Sequence, residues 1–140
     1  MWKDAMPYCM AILLIINAVA FADEVKIIGN SSVPYDELSQ EEVMKIFLNK
    51  LVEWPDKSKI TLAIKKQGQV HERFVERYLK RSAEQYSRYW KMMLFAGKGI
   101  VPKIFERDED IVRYISDTNG AIGYVSANVR TENVKTITVK

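Results

Sequence analysis

Cysteine and histidine are almost missing from this chain of 140 residues, which has one of each, Cys9 and His71. A single thiol cannot close an intramolecular disulfide, so packing has to hold the fold unaided. A single imidazole leaves one candidate base for a Ser-His-Asp arrangement and no set of partners for zinc. Beyond Ala22 there is no thiol nucleophile at all. Glycine is sparse, and Gly97-Lys98-Gly99 lacks the interval of a phosphate-binding loop and reads as a helix stop. Asp108-Glu109-Asp110 is too short for a metal loop and reads as charge placed at a helix start. The reading is therefore non-enzymatic, with no cofactor and no metal implied, and His71 is expected as a surface or helix-start residue.

Long hydrophobic runs are missing as well. Met10 to Phe21 is twelve residues and nearly all apolar, whereas a spanning helix needs about 20. Ala20-Phe21-Ala22 before Asp23 has the small-x-small form of a cleavage site, so residues 1–22 read as a secretory signal peptide and 23–140 as one domain. The destination is periplasmic or secreted. Asp4 offsets Lys3 ahead of the run, and an uncleaved segment would turn the chain into a membrane-anchored protein. Cys9 precedes the run instead of closing it, which argues against a lipoprotein site.

Charge is present but unevenly placed. Residues 23–64 hold five basic and eight acidic side chains, residues 65–103 hold ten and three, and residues 104–140 hold five and six. The middle third attracts anions. Its aromatics, Tyr78, Tyr86, Tyr89 and Trp90, read as core packing instead of a stacking platform, and export argues further against a nucleic-acid partner.

Strand chemistry appears near residues 25–29, 60–64, 121–125 and 134–139. Between these lie helical patterns. Ser39-Gln40-Glu41-Glu42 and Ser82-Ala83-Glu84-Gln85 have the form of capping boxes. Val70, Phe74 and Tyr78, with Val75 and Leu79, recur four apart and predict a helix ending near Arg81. Gly97 is expected to end the next helix, and Asn119-Gly120 the one after Asp108. Trp54-Pro55-Asp56 is turn chemistry, and Gly120 and Gly123 around the strand at Ala121 predict close backbone approach. Strands alternating with helices make this an α/β protein, a mixed sheet of about four strands flanked by helices.

Leu38-Ser39 leading to Ile46-Phe47, then Trp54-Pro55-Asp56, the strand from Ile60, Phe74, Tyr89-Trp90, Phe95-x-Gly97-Lys98-Gly99, Pro102 and Gly120-Ala121-Ile122-Gly123-Tyr124-Val125 occur in one order. As a set they resemble the phosphate-binding periplasmic component of ABC transporters, in particular its short, single-lobe members. The resemblance runs from about residue 25 to residue 139 and implies a periplasmic-binding-protein-like lobe that binds phosphate or a related oxyanion. In that family a basic residue at a strand end and a Gly-Ser-Gly-Thr turn at the next helix grip the anion. Lys65 stands where the family has arginine, Gly68 is kept, and Gln69, Val70 and His71 replace Ser, Gly and Thr. The resemblance thus implies Lys65, Gly68, Gln69, Val70 and His71 as ligand-binding residues, with His71 a donor when protonated below about pH 6.5. Lys66 alternates to the other side of the strand and is the weaker candidate. A second protein chain completing the cleft is the implied partner. The alternative is an interaction module that kept the lobe and lost its ligand.

Overall fold

The computed structural model describes residues 24–98 and 100–140; the signal segment expected at 1–22, with Cys9, lies outside them. In chain order the elements are β1 (Val25–Gly29), β2 (Glu37–Leu38), α1 (Gln40–Phe47), β3 (Thr61–Lys65), α2 (Gln69–Phe74), α3 (Ala83–Phe95), β4 (Lys103–Phe105), α4 (Asp108–Asp117), β5 (Ala121–Ser126) and β6 (Lys135–Val139). A π-helical turn, Val75–Leu79, continues α2. Among the described residues no helix is long and apolar enough to cross a membrane.

All six strands share one sheet in the order β2-β6-β1-β5-β3-β4. β1 runs antiparallel to both β5 and β6, whereas β3 runs parallel to β4 and β5, so the sheet is mixed. The four expected strands are its central, contiguous part. The sequence pattern misses the edges, because two residues of β2 and three of β4 are too few for alternation to register.

Alternation along the central strands divides the core between the two faces of the sheet. Ile27, Leu62, Ile64, Ile122, Tyr124 and Ile137 pack in the larger cluster, under α1, α2, the π-helical turn and α3. Ile28, Ala63, Ala121 and Val125 point the other way and pack against Ile111 and Ile115 of α4. Each large apolar side chain so buried contributes about 1.5–3 kcal/mol. Gly123 permits this second layer, since a Cβ there would sit 2.6 Å from the Ala63 carbonyl oxygen. Gly120, at φ 75°, is tighter still, with a Cβ meeting the Lys59 carbonyl at 2.3 Å.

The helix ends follow local rules. Ser39 and Glu42 form a reciprocal cap on α1 at 3.0 Å in each direction, and Ser82 and Gln85 do the same for α3. Gly97, at φ 63°, closes α3: its N–H donates to Leu94 and the Lys98 N–H donates back to Met93. The helix expected to end near Arg81 ends after Leu79, where Lys80 turns left-handed at φ 56°. Phe74, Val75, Tyr78 and Leu79 are all buried, as the spacing predicted. Tyr86 and Trp90 of α3 are buried too, and Tyr86 donates to the Phe47 carbonyl at 2.8 Å, so these aromatics are core.

Candidate ligand-binding site

The C-terminal end of β3 feeds α2 through Gly68, which caps the helix at φ 108° with no side-chain hydrogen bond to its amides. The first amides of a helix have no intrahelical acceptor. Space beside Gly68 is open, with nothing within 4 Å of a Cβ built there. Gln69, Val70 and His71 therefore begin the helix at an unobstructed corner, where a positive end of the peptide dipoles meets solvent.

The two lysines at this corner go separate ways. Lys65 shares a strand face with Ala63, and its ammonium reaches Asp108 at the start of α4 at 2.5 Å, both side chains being 12% exposed. The other oxygen of Asp108 accepts from the Ser126 N–H at 3.3 Å. The cation expected as the principal ligand is thus already engaged, and no local pattern signals the pairing because Asp108 lies far along the chain. Lys66 is exposed and makes a 3.5 Å contact with Glu106.

His71 stands at the helix start, one of the two places expected for it, but not on the surface. It is buried, and its Nδ1 hydrogen-bonds the Tyr124 hydroxyl. That hydroxyl also accepts from the Lys65 N–H at 3.1 Å. Nδ1 is the one acceptor that the described residues offer the phenol proton, so the hydroxyl donates to Nδ1 and the neutral ring carries its own proton on Nε2. Burial, reinforced by Lys65, pushes the His71 pKa down, and burial raises the Tyr124 phenol well above its usual range. His71 is accordingly a neutral donor through Nε2–H, without the protonation that the sequence reading required. The signal was present: His71, Phe74, Val75 and Tyr78 fall on one helical stripe.

Beside this corner lies a cleft of about 280 Å³ between α3, the end of β3 and the 101–104 segment. Its apolar walls are Ile64, Trp90, Leu94, Val101, Pro102 and Ile104, and its polar rim includes Lys65, Lys66, His71, Ser87 and Lys91. No lining residue is acidic. Lys91 makes none of the ion pairs among the described residues. The buried Trp90 Nε1–H has no acceptor in full hydrogen-bonding geometry; the Tyr86 oxygen is its nearest acceptor, a contact that favours the ionised phenol against the larger effect of burial, which raises the Tyr86 pKa. An unpaired buried donor of this kind costs about 1–3 kcal/mol. Of the expected site residues, the cleft collects Lys65 and His71, while Gly68, Gln69 and Val70 stay at the adjacent helix start. Asp108, Tyr124, Trp90 and Lys91 were not anticipated.

No known protein family matches the sequence, and no curated protein does. Solved structures do match. A Clostridium perfringens protein solved with bound phosphate, and named as a phosphate ABC transporter substrate-binding protein, aligns at TM-score 0.64 and 16% identity over 82% of this chain and 44% of its own. This chain has the fold of one lobe of such proteins. An ABC-type phosphate transport receptor from Vibrio cholerae aligns at TM-score 0.55 and 16% identity, over 82% of this chain and 45% of its own. PstS from Borrelia burgdorferi aligns at TM-score 0.62 and 12% identity, over 83% and 47%. The chain therefore spans under half the length of the structures it matches, which sets the lobe apart from a whole binding protein.

Proposed function

We propose that this chain is a non-enzymatic, periplasmic or secreted solute-binding-protein-like module for phosphate or a related oxyanion, connected with ABC phosphate transport. The observation that carries the reading is the uncapped start of α2 behind the open Gly68, on a fold shared with phosphate-transport proteins. The anion sits on the amides of Gln69, Val70 and His71, and Lys65 neutralises charge while sharing its ammonium with Asp108. The exported form begins at Asp23, and an intact mass that retained Met1 would instead make it membrane-anchored.

Magnitude limits what the lobe does alone. A helix start and one cation supply about 1–3 kcal/mol, and a micromolar site requires about 8 kcal/mol. Phosphate binding by the isolated chain is thus at best millimolar, and a second protein chain completing the cleft tightens it. The test is an amide-resolved NMR titration with inorganic phosphate on the protein and on Lys65→Ala and Lys98→Ala variants. The expected result is saturable movement of the Gln69–His71 amides, weakened about tenfold in Lys65→Ala and unchanged in Lys98→Ala. Equal losses in both variants would leave only a diffuse basic field and sink the site.

A further inference from the structure

His71 and Lys91 border one cleft, and each carries a hydrogen-bond donor that has no partner among the described residues, while the Trp90 indole lines the same cleft with its own N–H enclosed. The Tyr124 hydroxyl holds the His71 proton on Nε2, so that ring edge donates and does not accept. Water satisfies such a set poorly, because a water that accepts from the donors needs acceptors for its own two protons. The cleft offers few: the Tyr86 and Ser87 oxygens are the side-chain acceptors among its lining residues. A group that only accepts, and carries negative charge, satisfies both donors.

The walls then restrict what bears that charge. Ile64 is buried, and Leu94, Val101 and Ile104 leave apolar surface uncovered at the cleft, which rewards a hydrocarbon group and offers nothing to a hydrated inorganic ion. The cleft volume of about 280 Å³ is at the small end for organic ligands. We propose that the cleft binds a small organic oxyanion, with its charged group on His71 Nε2–H and the Lys91 ammonium and its hydrocarbon body on Ile64, Leu94, Val101 and Ile104, beside the Trp90 indole. The inference rests on the oxyanion reading for the sign of the ligand and adds the apolar body that inorganic phosphate lacks.

The experiment follows the indole N–H signals of the purified protein at pH 7.5 during titration with octanoate, with 1-octanol and with inorganic phosphate at constant ionic strength. Octanoate should move the Trp90 indole signal saturably and leave that of Trp54, which already donates to the Gly120 carbonyl at 3.0 Å. Octanol, with the same body and no charge, should bind about tenfold more weakly. Lys91 is exposed on α3, so Lys91→Gln should fold normally and weaken octanoate binding about tenfold while leaving phosphate effects on the Gln69 and Val70 amides intact. Octanol binding as tightly as octanoate, or Lys91→Gln binding octanoate as well as the unaltered protein, would overturn the proposal. So would a Trp90 signal that moves with protein concentration in the absence of ligand, since a second copy would then be covering the cleft. Failure of the phosphate site shows at Gln69 and Val70 and leaves the Trp90 result standing.

Discussion

Charged and polar groups on the two faces of the sheet are treated in opposite ways. On the α4 side Lys65 meets Asp108, Asp108 also accepts from the Ser126 N–H, and the buried Asn30 amide donates to the carbonyls of Ile115 and Ser116 at 2.7 and 3.1 Å. On the α3 side Tyr86 and Tyr89 donate to the Phe47 and Leu48 carbonyls, but the His71 Nε2–H and the Lys91 ammonium stand without acceptors among the described residues and the Trp90 indole N–H has none in good geometry. The larger, more aromatic core lies under that unpaired side, including the Phe74 and Tyr124 rings stacked at 3.8 Å. Burial of that size can tolerate unmet donors, and the thin α4 layer cannot. Pairing on the α4 side therefore bears on stability, and the open donors on the other side are those that the proposed organic oxyanion would meet.

Removing charge on each side tests that division. Asp108→Ala strands Lys65 in a largely enclosed position and deprives the Ser126 N–H of its acceptor, so chemical denaturation should show a loss of about 3 kcal/mol. The double change Lys65→Met with Asp108→Leu should recover most of it, because two apolar groups of similar volume owe no desolvation. A double variant as unstable as Asp108→Ala would mean that the pair does more than neutralise itself.

Lowering the pH probes the His71 contact between the faces. Its pKa is depressed in the folded protein by burial and by Lys65, so below the ordinary value of 6.5 the unfolded chain takes up the proton first. The stability held by neutral His71 is complete above that pH and is lost as pH falls toward the depressed value. Urea midpoints at pH 7.5 and pH 5 should differ, and His71→Gln should reduce the difference. An unchanged difference in His71→Gln would assign the acid sensitivity to carboxylates on the α4 side.

Smaller effects sharpen the contrast further. Ser82→Ala removes one half of the cap on α3 and should cost about 1 kcal/mol in thermal or urea unfolding. Lys91→Ala, on the same helix, should stay within about 0.5 kcal/mol of the unaltered protein. A larger loss from Lys91 than from Ser82 would show that the α3 side depends on its charge after all.

What the sequence disclosed was what neighbours in the chain decide. The capping boxes at Ser39 and Ser82, the stop at Gly97 and the close approach at Gly120 and Gly123 each depend on a few consecutive residues, and all are present. The Lys65 and Asp108 pair joins two elements that no local pattern connects, and it redirects the cation to which the family resemblance pointed. The helix-start position of His71 was legible, but its burial was missed because the polar Glu72 and Arg73 beside it hid the stripe it shares with Phe74, Val75 and Tyr78. The cleft could not be read at all, since it depends on where α3 crosses the end of β3.

Strand order has one more consequence, for how the molecule comes into being. β1 is the first element of the described chain, yet it lies inside the sheet between β5 and β6, with Ile27 opposite both Tyr124 and Ile137. Neither neighbour exists until the last part of the chain has been made. Local helices can form early, but closure of the sheet waits for contacts between the two ends, which is slow because the whole intervening chain must first be arranged. Through that interval the Ile27-Ile28 pair is an unpaired apolar strand, and the protein stays a client for whatever holds unfolded chains apart until its final strand arrives.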